Sequence, residues 1–177
     1  EAELKRADLL AASLQFDQAK EALLAIESTA TAVNDVKLLG RLYNTFAQME
    51  SWQGRRATVE TEAYLLKATG YIQSPILKTN LAVYYSNVQQ FEKAASYLAS
   101  IPPEEQTFSN YYNVKGLLAV HDKQIKEANG YFLKAIELDE SFWEAQGNLG
   151  RLFIDLGEME EARKVFARLH TQNPKHL

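Results

Sequence analysis

The chain of 177 residues has no cysteine. Disulfides, thiolate metal sites and cysteine nucleophiles are therefore excluded. Proline is scarce: Pro75, Pro102, Pro103 and Pro174 are the four, and each falls between apolar-periodic runs. Glycine is also sparse, with eight residues. Long alternating Val/Ile/Thr runs are missing, and Asn129-Gly130 lies inside the helical pattern "IKEANGYFLKAIEL" instead of joining two strands. The class is all-α. No apolar run reaches the ~18–20 residues that span a bilayer. Positive charge is not in excess: 19 Lys and Arg stand against 23 Asp and Glu, for a net charge of −4. That argues against general nucleic-acid binding, which wants a basic face.

Chemistry-bearing patterns are missing too. The histidines are His121, His170 and His176, and none forms a close ligand pair or an HExxH. No GxxxxGK[ST] or GxGxxG occurs, so the phosphate-cradling loops are not there. Glu158, Glu160 and Glu161 open a helical run, where carboxylates favour the N-terminal dipole. We expect no catalytic residues, no metal and no cofactor. The first residues, "EAELKRADLL", are already helical in pattern, with no Met and no signal peptide. This reads as a processed or excised piece, whose export signal or anchor would lie outside it.

What is present is a repeat. "YYNVKGLLAVHDKQIKEANGYFLKAIELDE" and "WEAQGNLGRLFIDLGEMEEARKVFARLHTQNP" align Gly116 with Gly150, Leu118 with Leu152, Ala128 with Ala162 and Phe132 with Phe166. Each offset is 34 (150 − 116, for example). One further step back gives Ala82, Tyr84, Ala94 and Leu98.

The pattern resembles the tetratricopeptide repeat (TPR), a 34-residue helix–turn–helix unit. In the last unit Leu149, Gly150, Phe153, Ala162, Phe166 and Pro174 match the motif, while Gln146 and Leu169 depart from it. The unit before departs at Lys115 and Ala119. Towards the N-terminus Ala7, Leu10, Ala19, Leu23 and Ile26, then Leu39, Gly40 and Tyr43, fit a weaker pattern, with the extra length of the second unit placed near "QMESWQG". The resemblance implies one array over 1–177, with units at about 1–33, 34–74 (degenerate and longer), 75–108, 109–142 and 143–176. It implies a right-handed superhelical solenoid of antiparallel helix pairs. Gly40, Gly116 and Gly150 would allow close helix contact, each facing the small residue of the second helix. Of the tyrosine pairs, Tyr85 and Tyr112 are expected inward, and Tyr84 and Tyr111 toward the groove edge or the previous unit.

The resemblance also implies a concave groove lined by the first helix of each pair. Its candidate partner-binding residues are Asn34, Lys37, Arg41, Asn44, Thr79, Val83, Asn87, Asn110, Asn113, Leu117 and Arg151. Thr45, Ile76, Ser86, Val120, His121, Glu144, Gly147, Ile154 and Asp155 share those rows. Asparagine both donates and accepts, which suits the backbone of an extended peptide. Lys37 and Arg41, with Arg55 and Arg56, would form a basic patch for an acidic segment. The family's carboxylate clamp for chaperone tails is not matched, since Arg41, Val114 and Asn110 stand where its residues would be. We expect a non-catalytic scaffold for protein–protein interaction, binding a peptide or partner helix. The family association suggests an assembly factor for a bacterial pilus or secretion system. The alternatives are a cytosolic adaptor or co-chaperone, or the regulatory domain of a larger enzyme. The corresponding compartments are the cytoplasm or the periplasmic side of a bacterial envelope. Leu152, Phe153, Leu156, Val165, Phe166 and Leu169 are too many for one inward stripe, which points to an exposed patch and to self-association through the last pair, or docking of a partner or a downstream segment there.

Overall fold

A computed structural model describes residues 2–53 and 58–172. The described residues form ten α-helices and no strand. They are α1 (Ala2–Ala12), α2 (Phe16–Ala32), α3 (Val36–Trp52), α4 (Val59–Tyr71), α5 (Pro75–Asn87), α6 (Phe91–Ala99), α7 (Ser109–His121), α8 (Ile125–Leu138), α9 (Trp143–Asp155) and α10 (Met159–Gln172). A single 3-10 turn at Pro103–Glu105 precedes α7. The extra length of the second pair lies partly in α3, which has 17 residues where α5, α7 and α9 have 13. Arg55 and Arg56, expected in the basic patch, and Pro174 lie outside the described residues.

Local chemistry sets the helix ends. Asp35 caps α3 by accepting from the Leu38 N–H at 2.9 Å, and Thr58 caps α4 through the Thr61 N–H at 3.2 Å. Pro75 occupies the first turn of α5, where its missing N–H costs nothing. The turns inside the pairs repeat one device. Gln89, Lys123 and Gly157 sit at φ of 61°, 61° and 76°, in the left-handed region and spaced 34 apart (123 − 89 and 157 − 123). The next N–H reaches back to a carbonyl inside the first helix: Gln90 to Tyr85, Gln124 to Ala119 and Glu158 to Phe153, each at 2.8 Å. This bond closes the helix end as in a Schellman motif. Leu14, at φ 60°, does the same through Gln15 to Leu10 at 2.9 Å.

The helices gather into two compact units, residues 1–90 and 91–177. In the first, α1 packs on α2, α3 on α4, α2 on α3, α4 on α5, and α1 on α3. Its core joins Leu4, Ala7, Leu23, Ile26, Leu39, Leu42, Tyr43, Phe46 and Met49, with Ile72 and Tyr64 against it. In the second, α7 packs on α8, α9 on α10, α8 on α9, α6 on α7, and α7 on α9. Its core includes Ala119, Ala128, Phe132, Leu149 and Leu152. In both units, then, neighbouring first helices touch, and each second helix also meets the next first helix. Stacked helix pairs bury both faces in this way.

The close-contact glycines face large side chains, rings at Gly116 and Gly150 and an isoleucine at Gly40, not the small residues expected opposite them. A Cβ on Gly150 would lie 2.5 Å from Phe166 Cζ, and one on Gly116 would lie 2.6 Å from Phe132 Cδ1. At Gly40 the obstacle is Ile72, whose Cγ1 would be 2.6 Å away. The aromatic ring crosses the first helix where it has no side chain, and the space a Cβ would fill holds the ring. Gly147 differs, with nothing within 4 Å of a Cβ built there.

Candidate interaction surface

The first unit contains a cleft of about 280 Å³ where α1, α3 and the start of α5 converge. Leu4, Ile72, Ile76 and Leu77 give it apolar lining, and Asp8, Arg41, Asn44, Thr45, Gln48 and Ser74 give it polar lining. The helical period explains the set, because Arg41, Asn44, Thr45 and Gln48 recur every three or four residues along one face of α3. The arrangement is held by hydrogen bonds. Thr45 Oγ1 donates to Asp8 Oδ1 at 2.8 Å, tying α3 to α1. Asn80 Nδ2 donates to Asn44 Oδ1 at 2.9 Å, tying α5 to α3. Each amide keeps unused donor or acceptor capacity after that bond. Thr45 is buried by its contact, whereas Ile76 is 56% exposed at the rim.

The structure thus brings Arg41 and Asn44 together with Thr45 and Ile76, as residues of one surface. Asp8, Gln48 and Ser74 belong there too. Sequence reasoning missed Asp8 because it followed the groove rows only from the second helix pair onward. Lys37 is exposed one turn before Arg41, and Asn34 is exposed in the turn before α3, at φ 52°. On α5, Thr79 is fully buried, Val83 is half-buried and Asn87 is exposed. Thr79 therefore offers its side chain to no ligand from solvent.

In the second unit the amide pairing recurs. Asn148 Nδ2 donates to Asn113 Oδ1 at 2.9 Å, tying α9 to α7. Asn113 is buried, so it is a packing amide in this structure. Asn110 and Leu117 are half-buried and Arg151 is exposed. Leu117 and Val120 pack against the apolar core. His121 stacks on Phe91 with ring centroids 3.8 Å apart.

The sequence model of the family described as "Tetratricopeptide repeat" matches residues 119–176. That stretch, about the last third of the chain, is similar to the tetratricopeptide repeat. Solved structures extend the fold to nearly its whole length. PilW, described as a widely conserved type IV pilus biogenesis factor, superimposes with a TM-score of 0.73 at 14% identity, over 99% of this chain and 78% of that one. MamA from Desulfovibrio magneticus gives 0.59 at 15% identity, over 99% and 98%. YrrB, described as a TPR protein with an unusual peptide-binding site, gives 0.57 at 16%, over 98% and 86%. No curated protein matches the chain in sequence.

The tyrosine pairs meet expectation only in part. Tyr84 is buried along with Tyr85, because both hydroxyls turn to Glu62 of α4, at 3.5 Å and 2.7 Å. Tyr111, not Tyr112, is the buried member of its pair. Its ring packs edge-on against Tyr112 at 5.3 Å and against Phe108 at 6.1 Å. At the C-terminal pair, Leu152 and Leu169 are buried, and Phe153, Val165 and Phe166 are half-buried. The exposed apolar residues there are Ile154, Leu156 and Met159. Glu160, Glu161, Arg163, Lys164, Arg168 and His170 make the solvent face of α10 polar.

A second polar cluster ties the second helices to the first. The Tyr43 hydroxyl donates to Glu27 of α2 and accepts from Lys67 Nζ of α4 at 3.0 Å. Lys67 also lies 4.4 Å from the centroid of the Tyr43 ring. Burial, together with the Glu27 contact, raises the Tyr43 pKa above its usual value. Among the described residues no group of His, Asp and Glu has a geometry that would hold a metal ion. No helix among them is long and apolar enough to cross a membrane.

Proposed function

We propose that the chain is a non-catalytic scaffold that holds a peptide-like segment of a partner protein against its first helices. The observation that carries this reading is the cleft in the first unit. It sets hydrogen-bonding amides beside apolar lining on one face, which is what an extended segment needs for its backbone and its side chains. Part of the proposal is the division into five units at 1–33, 34–74, 75–108, 109–142 and 143–176. The likeness to YrrB, a TPR protein with a peptide-binding site, supports the peptide reading.

The finer proposal is a role in assembling a bacterial pilus or secretion system, supported by the shared fold with the pilus biogenesis factor PilW. Two experiments separate these levels. Quantitative capture of partners from the native host should lose the specific partner on Asn44→Ala with Gln48→Ala, while circular dichroism shows the helices intact despite the lost Asn80 hydrogen bond. Unchanged capture would remove the cleft from the account. Deleting the chain from its host should reduce surface fibres without reducing total subunit. Unchanged fibres would remove the pilus assignment and leave the scaffold standing.

A further inference from the structure

Resting on the peptide reading above, the geometry points to what the cleft of the first unit selects: a segment carrying Lys or Arg, whose charged head pairs with Asp8 while its aliphatic stem lies on Ile72 and Ile76. Asp8 is half-buried and lines the cleft. Its recorded hydrogen bond comes from the Thr45 hydroxyl to Oδ1. Among the described residues no Lys or Arg forms an ion pair with it. A carboxylate partly withdrawn from water and held by one neutral donor is under-compensated, and a cation entering the cleft restores the balance.

The apolar lining favours the same ligand. Ile72 is half-buried and Ile76 stands at the rim, more than half exposed, with Leu4 and Leu77 buried beneath them. Lys and Arg carry a hydrocarbon stem that covers such a surface while the head stays polar. A space of about 280 Å³ suits one long side chain and is below the usual size of a site for a drug-sized ligand, about 300–1,000 Å³. Arg41 lines the same cleft, which raises the opposite choice, an acidic ligand. Arg41 already takes part in an interaction of its own, whereas no Lys or Arg among the described residues pairs with Asp8, so the carboxylate is the group placed to meet a charged guest. The net charge of −4 draws such a segment in from a distance.

The test is NMR titration of the full chain with four capped tetrapeptides that differ at one position: Arg, Lys, norleucine or Glu. The Arg and Lys peptides should shift the amide signals of residues 4–8, 44–48 and 74–77 and approach saturation in the millimolar range. Asp8→Asn keeps an acceptor for Thr45 and should weaken both at least about tenfold, equivalent to about 1.4 kcal/mol. Glu127→Gln, a carboxylate on α8, should leave binding unchanged. An equal response to norleucine, a stronger one to Glu, equal weakening by Glu127→Gln, or no localised shift with the Arg peptide would each overturn the assignment. If Asn44→Ala with Gln48→Ala abolishes capture of the natural partner while the Arg peptide gives no shift, this inference falls and the scaffold reading stands.

Discussion

Replacing glycines one at a time by alanine should split them into two classes of opposite sign. In a helix interior Gly costs about 1 kcal/mol relative to Ala, so Gly147→Ala gains roughly that amount if its surroundings are open. They are, with nothing within 4 Å of the new Cβ. Gly130 of α8 is open in the same way. At Gly150 the new Cβ meets Phe166 at 2.5, 2.7 and 3.0 Å, so the ring must move. Overpacking typically costs about 1–3 kcal/mol, which leaves a net loss of about 0–2 kcal/mol after the propensity gain. Phe166 is half-buried and can yield towards solvent. Phe132, which faces Gly116, is 1% exposed and cannot. The expected order of stability is therefore Gly147→Ala above wild type, then Gly150→Ala, then Gly116→Ala, with about 2–3 kcal/mol between the extremes. Thermal unfolding followed by circular dichroism resolves this, at about 2–4 °C per kcal/mol for a chain of this size. Equal effects at 147 and 116, or stabilisation at both, would refute the packing argument.

Other expectations follow from single contacts. Lys123→Gly removes the left-handed strain of about 1–2 kcal/mol against a chain-entropy cost of about 0.5–1 kcal/mol, so a melt should show it neutral or slightly stabilising; a clear loss contradicts the turn geometry. Asn113→Ala should cost about 1–3 kcal/mol by leaving its amide partner unpaired, whereas Asn110→Ala should stay within about 0.5 kcal/mol; equal melting points would undo the distinction. Tyr43, Tyr64, Tyr84 and Tyr111 all have pKa values raised by burial. The unfolded chain therefore loses these protons first, so their contribution is full below the usual tyrosine pKa and falls as pH rises through the native values. Alkaline urea titrations should show that fall, and Tyr43→Phe should make it shallower; stability that rises above the usual tyrosine pKa would be the wrong sign. Self-association through the C-terminal pair is proposed on the exposed Ile154, Leu156 and Met159. Leu156→Glu should then lower the sedimentation coefficient of a concentrated sample, and a wild type that stays monomeric through the micromolar range removes that proposal.

Much of the fold was legible because the repeat is written in small residues at fixed spacing. Gly116, Gly150, Ala128 and Ala162 mark helix crossings, and no propensity scale was needed to place them. What they touch was not legible. The ring over each glycine comes from the residue four positions after the small one, because a long side chain leans back along its helix. Lys115 illustrates a second limit. It stands where the neighbouring repeats carry Leu81 and Leu149, and it stays there because its stem is half-buried and its ammonium lies 4.5 Å from the Tyr131 ring centroid. Gln146 likewise replaces an expected apolar residue and is buried, with Nε2 donating to the Glu140 carbonyl at 2.7 Å. Such replacements depend on one specific partner, and a periodic pattern carries no information about partners. The cleft was half legible for the same reason. Arg41 and Asn44 follow from helical spacing, but Asp8 enters only because Thr45 reaches across to α1.

Site-specific photo-crosslinking in the native host tests the central claim most directly. A benzophenone side chain placed at position 48 on α3 or position 87 on α5 should give one defined adduct with a partner protein, and Asn44→Ala should remove the adduct from position 48. The same probe at Ala63 on α4 or Lys126 on α8, both exposed on second helices, should give none. Adducts of equal strength from both sets, or only from the second helices, would contradict a scaffold that works through its first-helix faces.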